Sequence, residues 1–365
     1  NSVLQAHQRL DVSSKITIVT DSFKYFFQLV ALYFCKNYYL YVLAILITQL
    51  VNNIITAHMA KKMYPNYNPE GCISKNETIV INHRIRDLFT SKLGGVIVNS
   101  ADTIVISAFL GLKILAIYQN YFYIISAIMG FITVLNNSVL AGIGNSMIVK
   151  SKKENYEEFR VFVFLEMWIL AFCTCCFSSL FQNFMTLWMG PDLLLDYPVV
   201  ILLCIYFIGY EYVMLMSVYK DAGGIWHEDR FRPLISGIAN IILNMILVNF
   251  VGLYGIVLST IISIYCISAP WITKNVFNLI FVKDDIKDFL KTILKYLVTL
   301  IFSVICVNIC CAFVTLNSIV GFIIRGIITL IISNGIFILA YMKNPMLKKM
   351  VDLINRKIFK RGKWI

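Results

Sequence analysis

Charge is what this sequence has least of. Asp, Glu, Lys and Arg supply 14% of its 365 residues, apolar side chains supply 59%, and the mean hydropathy is +0.76. Ordinary globular domains are roughly 45–50% apolar, so an ordinary soluble fold is excluded and an integral membrane protein is implied. Local catalytic signatures are missing too. There is no phosphate-binding Walker loop, no HExxH and no GxSxG, and the HED triplet His227–Asp229 lacks the turn spacing of a helical metal site. No charged stretch leads into a short apolar core with a cleavage site, so no signal peptide is expected. Ten cysteines are present, but Cys173, Cys175, Cys176, Cys310 and Cys311 lie inside apolar runs with no histidine beside them. They read as small apolar residues, and neither a metal nor a cofactor is expected.

What is abundant is long apolar runs. A bilayer-crossing helix needs about 20 mostly apolar residues, and such runs fall near 14–34, 39–60, 91–111, 117–147, 158–184, 197–218, 233–250, 253–273, 292–313 and 318–341. They are too long and too uniformly apolar for the alternating strands of an outer-membrane barrel. The expected fold is therefore all-α, with ten transmembrane helices. Joins such as MGPDLLLDYP and FVGLYG carry the glycines and prolines that break helices.

Lysine and arginine test that count independently, because short cytoplasmic loops hold them in excess. Of the 32, all but Lys24, Lys36, Lys113 and Arg325 fall before or at the start of the first run, in alternate joins or at their edges, or after the last run. Ten spans with both ends cytoplasmic follow. The net charge of +12 is spread over these joins and forms no single groove, which argues against nucleic acid as a partner. The basic tail 343–365 has an amphipathic pattern suited to anionic lipid. Asn76 in the triplet NET would then lie inside the cell, away from glycosylation.

Ionisable groups at bilayer depth are costly and usually face a cavity or a partner. Asp21, Lys24, Asp102, Glu166, Glu211 and Arg325 are of this kind. Asp21 and Lys24 are three apart and share a helix face. Asn99, Asp102 and Thr103 form a second strip; Tyr206, Tyr210 and Glu211 form a third, joined by Asn240 and Asn244 from the next run. Carboxylates, amides and phenols suit a hydroxyl-rich ligand, while polar contact between helices is the competing reading. Arg325 can clamp phosphate oxygens or extend its guanidinium to the headgroups. The stretch His227, Glu228, Asp229, Arg230, Arg232 reads as a salt-bridged intracellular corner, with Asp229 or Glu228 pairing with Arg230 or Arg232 and Pro233 opening the next helix; direct substrate contact is the alternative.

The segments SKLGGVIVNSADTIVISAFLGLKILAIYQNY (91–121), LQAHQR (4–9) and YKDAGGIWHEDRFRPLISGIANIILN (219–244) together resemble the Wzx-type polysaccharide flippases of the multidrug, oligosaccharidyl-lipid and polysaccharide exporter superfamily. The resemblance implies a fourteen-helix, two-lobe transporter of which the ten spans match helices 5–14. Residues 1–60 would then end the N-terminal lobe, 61–90 link the lobes, 91–273 form the six-helix C-terminal lobe, and 274–342 supply two additional helices. It also implies alternating-access transport of an oligosaccharide linked to undecaprenyl pyrophosphate, for capsule, O-antigen or cell-wall polysaccharide, across a bacterial cytoplasmic membrane. Polymerase and export machinery would be its neighbours. Two rivals remain at this point: a multidrug or cation exporter of the same fold, and a membrane glycosyltransferase or polymerase.

Overall fold

The computed structural model describes residues 3, 4, 7, 9–66, 73–316, 318–350 and 352. The described chain is all-α. Helix α1 covers Leu10–Val30 and ends in a π-helical turn, Ala31–Cys35. Then follow α2 (Tyr38–Met63), α3 (Lys75–Leu110), α4 (Leu112–Val149), α5 (Lys152–Met189), α6 (Tyr197–Ala222), α7 (Arg232–Val251), α8 (Leu253–Leu279), α9 (Asp285–Ala312) and α10 (Ile319–Tyr341).

Each apolar run is a helix, since in hydrocarbon only a helix satisfies its own backbone groups. The ends are written locally. Asn37 caps α2 by accepting from Tyr39 N at 2.8 Å, and Ser151 with Glu154 forms a capping box at the start of α5. Pro198 and Pro233 sit in the first turns of α6 and α7, where a missing N–H costs nothing. At the two joins singled out by sequence, Gly190 (φ 89°) and Gly252 (φ 57°) take backbone conformations that side chains resist. Inside α8 the ladder widens to a π-helical segment, Ser263–Ser268, just before Pro270, which cannot donate to it.

Nine helices among the described residues are long and apolar enough to cross a membrane, and the chain is an all-α integral membrane protein. The count differs from ten at α1. That segment is helical where expected, but Asp11, Lys15, Asp21 and Lys24 dilute its apolar character. The second half of the expected 61–90 linker also differs from a simple join. Ser74 and Glu77 exchange hydrogen bonds between side chain and backbone, no Gly or Pro interrupts 75–92, and α3 therefore begins about four turns before its apolar part. The tail beyond 352 lies outside the described residues, as do Gln5, Ala6 and Gln8 of the LQAHQR stretch.

The described chain divides into two compact units, residues 1–78 and 79–365. In the first, α1 packs on α2. In the second, α5 and α6 are the most enclosed helices; α9 and α10 pack on α5, α4 and α8 pack on α6, and α7 packs on α8. Phe159, Phe277, Phe281 and Phe289 interlock at one end of α5, and Phe164, Trp168, Phe337 and Tyr341 do so further along. Aromatic contact of this kind adds about 0.5–1.5 kcal/mol per pair beyond area burial. Polar cross-links reinforce it, with Trp168 Nε1 donating to Asn334 Oδ1 at 2.9 Å. Outward, Leu294, Val298, Ile301, Phe302, Ile305 and Ile309 give α9 an exposed apolar stripe, the surface that acyl chains cover.

Candidate polar sites between the helices

The first site starts from a close crossing. A Cβ added at Gly94 on α3 would lie 2.3 Å from Leu234 N on α7, so only glycine lets the two backbones touch there. The 91–121 and 219–244 segments are thereby packed against each other. Two turns along α3 from this crossing, Asp102 meets α7 and α8. Asn244 Nδ2 donates to Asp102 Oδ1 at 2.8 Å, and Thr260 Oγ1 donates to the carboxylate at 2.9 Å. Asn240 Nδ2 donates in turn to Thr260 Oγ1 at 2.8 Å, while Asn240 Oδ1 accepts from Asn244 at 3.3 Å. Asn240, Asn244 and Thr260 are buried. Asn244 Oδ1 is buried without a hydrogen-bond partner, which leaves a spare oxygen beside the carboxylate. Carboxylate, amide carbonyl and hydroxyl oxygens form a hard-ligand set able to hold a proton or an alkali cation.

This regroups the sequence expectation. Asn240 and Asn244 had been joined to Tyr206, Tyr210 and Glu211; their hydrogen bonds go to Asp102 and Thr260 instead. Thr260 was missed, because a threonine in an apolar run carries no signal of its own. Thr103, from the expected Asp102 strip, accepts from Gln119 Nε2 of α4 at 3.0 Å. Asn99 has a described backbone in α3, but its side chain lies outside the described residues.

The second site lies between α5 and α6. Glu211 is 0% exposed and neither of its carboxyl oxygens has a hydrogen-bond partner. Glu166 of α5, 2% exposed, accepts from Asn136 Nδ2 of α4 at 3.2 Å through one oxygen and has no partner on the other. Neither acid has a basic partner within ion-pair distance among the described residues. Tyr206 and Tyr210 face elsewhere. They line a cavity of about 280 Å³ bounded by α3, α6, α7 and α8, together with Lys92, Lys220, Trp226 and Arg232. Two phenols lie at one end of it, and three cations with Asp221 at the other.

At the cationic end stands the HED stretch. Asp229 is buried and takes Arg232 in a two-pronged ion pair, with both N–O distances 2.8 Å. Lys220 is 3% exposed, pairs with Asp221 at 2.5 Å, and lies 3.8 Å from the Trp226 ring centre. The salt-bridged corner is present, but its partners differ in detail. Arg230 does not join Asp229; its Nη1 reaches Asp87 Oδ1 on α3 at 2.9 Å. His227 likewise turns to Asp87. Glu228 contributes its backbone oxygen, which accepts from Asn275 Nδ2. Lys220, Asp87 and His83 were missed because their role rests on neighbours far away in sequence.

The first unit holds a polar groove of about 350 Å³ between α1 and α2, lined by Thr17, Asp21, Lys24, Gln49, Asn52 and Asn53 among others. Lys24 Nζ bonds Asp21 Oδ1 at 2.7 Å, the pairing that a three-residue separation on one helix face makes available. Asn52 Nδ2 bridges to Thr20 Oγ1 at 2.8 Å. Arg325 on α10 donates from Nη2 to the carbonyl of Val314, in the join after α9, while its Nε is buried without a partner. The guanidinium is thus engaged with the backbone of that join.

A sequence model for the family described as "Polysaccharide biosynthesis protein" matches residues 1–141, which run from α1 into α4 and include Asp21, Lys24 and Asp102. No curated protein and no solved structure matches the chain. By this comparison the N-terminal part of the chain is similar to polysaccharide biosynthesis proteins.

Proposed function

We propose that this protein is a transporter that moves a lipid-linked oligosaccharide across the membrane for polysaccharide assembly, with undecaprenyl pyrophosphate as the lipid carrier. The observation that carries the reading is the polysaccharide-biosynthesis match over 1–141 in a chain built of membrane-length apolar helices. Within that reading, the phenols of Tyr206 and Tyr210 offer stacking surfaces and hydroxyls to sugar rings. At the other end of the same cavity Lys92 offers positive charge to a phosphorylated headgroup, with Lys220 and Arg232 beside it paired to Asp221 and Asp229; such a headgroup would otherwise cost many kcal/mol to bring out of water.

Transport against a gradient needs an energy source, and the sequence carries no nucleotide-binding loop. An ion gradient is the driving force we assign, with the Asp102 centre as its site. Occupancy of that centre by a cation would replace the hydrogen bonds from Asn244 and Thr260, and so alter how α3 sits on α7 and α8. Such a two-state contact is what alternating access requires. A polymerase or glycosyltransferase would instead leave the lipid-linked unit where it found it, chemically changed.

The test is the fate of the lipid-linked unit in cells lacking the gene. Accumulation of intact units on the inner leaflet, relieved by restoring the gene, is the expected result. Normal delivery of units to the outer leaflet, with polymer length or linkage altered, would reject transport in favour of an enzyme.

A further inference from the structure

The Asp87 cluster at the HED corner lines none of the cavities described above. His83 and Asp87 are four apart on α3, hence on one face, and the join before α7 lays His227 against them. Asp87 Oδ2 lies 2.9 Å from His227 Nδ1 and 3.2 Å from His83 Nδ1. One atom from each residue falls within 4.8 Å of the other two, and the imidazole rings lie roughly parallel, 5.2 Å apart. Asp87 is 3% exposed, whereas the side chains of His83 and His227 are 45% and 56% exposed. The trio therefore has a buried anion at its base and an open top.

The hydrogen bonding around His227 contains a conflict. Arg230 Nη1 stands 2.7 Å from His227 Nδ1 and 2.9 Å from Asp87 Oδ1. A guanidinium only donates, so its bond to Nδ1 requires a lone pair on that nitrogen. The same Nδ1 is 2.9 Å from Asp87 Oδ2, which also presents lone pairs. If Nδ1 instead carries the proton, that proton faces the arginine. In neither tautomer are both contacts favourable. A cation held jointly by Nδ1 and Oδ2 removes the conflict, and Arg230 then needs only its bond to Oδ1, where it fixes the carboxylate from behind.

We infer that His83, Asp87 and His227 bind a divalent first-row transition ion, with Zn²⁺ the best fit, and a water in the fourth position. Two imidazoles and a carboxylate are a borderline N/O set that suits zinc and its neighbours, whereas Mg²⁺ and Ca²⁺ prefer oxygen alone. Tetrahedral ligands at about 2.0–2.1 Å from zinc stand roughly 3.3 Å apart, close to the 2.9 and 3.2 Å separations already present. The ion would tie α3 to the join before α7, beside the cavity residues Lys92, Trp226 and Arg232. This inference concerns binding and stands whether or not the transport reading is right.

The experiment uses the full chain in detergent, purified without a polyhistidine tag and stripped with chelator. It is titrated with Co²⁺, followed by visible absorption, and with Zn²⁺ in competition with a chromophoric chelator. We expect one equivalent per chain, with His83→Ala and His227→Ala each weakening Zn²⁺ by about tenfold or more, the double variant losing the absorption band, and His58→Ala unchanged. Both histidines are largely exposed, so the variants should keep the wild-type gel-filtration profile. Absence of saturable binding by the wild-type chain, or binding by the double variant with wild-type affinity, would overturn the assignment.

Discussion

Two acids in the second unit make opposite use of burial. Asp102 on α3 is embedded in amides and a hydroxyl, receiving hydrogen bonds from Asn244 and Thr260. Glu211 on α6 is more deeply enclosed, with 0% exposure, and receives none. Their surroundings explain the contrast. Asp102 sits where α7 and α8 contribute Asn240, Asn244 and Thr260 within a few turns of one another, whereas Glu211 sits at the packed contact of α6 with α5, where no side chain among the described residues donates to it. A partnered acid is held in one geometry, which under the proposed function an ion would reach by competing with its hydrogen bonds. An acid without partners costs stability and persists only where something else is gained.

Four substitutions sharpen or break that comparison. Asp102→Ala has the largest expected effect. It removes the proposed ion site and leaves the donors of Asn244 and Thr260 unmatched, so export of the lipid-linked unit should fall to background and stability by about 1–3 kcal/mol, read as a lower melting temperature of the purified chain. Wild-type export by this variant would take Asp102 out of the mechanism. Gly94→Val comes next, acting on the same site at a distance. The added carbons meet the Leu234 backbone, α3 must move off α7, and a loss of about 1–3 kcal/mol should accompany an export defect that resembles the first. A melting temperature equal to wild type would mean that the crossing is not tight.

Glu211→Leu should reverse the sign on stability. Removing a buried carboxyl with two unmatched oxygens and replacing it with a side chain of similar volume should raise stability by about 1–3 kcal/mol, while export declines if the acid is retained for function. A lower melting temperature would show that the Glu211 carboxyl contributes to folding, and equal export would reduce it to packing. Arg325→Gln has the smallest expected effect. Its loss is the bond to the Val314 carbonyl, about 0.5–1.5 kcal/mol, with export near wild type. A transport loss in Gln that Arg325→Lys partly restores would instead mark the guanidinium as a phosphate clamp.

Much of this arrangement was legible residue by residue. The apolar runs near 158–184 and 197–218 are the interiors of α5 and α6, Pro233 opens α7, and Asp21 pairs with Lys24 as their spacing on a helix suggests. Asp102, Asn240 and Asn244 were recognisable as polar groups too costly to leave facing lipid. Their grouping was not. Asn240 and Asn244 could be assigned to Asp102 or to Glu211 with equal reason until the helices were packed, and Thr260 looked like any threonine in an apolar segment. The HED stretch gave the nearest version of the same problem. Asp229 and Arg232 find each other locally, three residues apart, whereas Arg230 and His227 reach Asp87 about 140 residues away.

The sequence alone determined that this chain is helical and membrane-embedded, where the apolar interiors of its helices lie, and which residues are too polar for lipid. Each of those follows from the free energy of a single segment in water or hydrocarbon, which depends on composition and on neighbours within a turn or two. Only the tertiary structure decided which polar groups meet: Asp102 with Thr260 and Asn244, Asp87 with His83 and His227, Glu211 with nothing. In hydrocarbon no general apolar force selects one helix partner over another, so the choice falls to close fits such as Gly94 on Leu234 and to specific hydrogen bonds between helices. Those depend on pairs of residues far apart in the chain, and no stretch read by itself contains them.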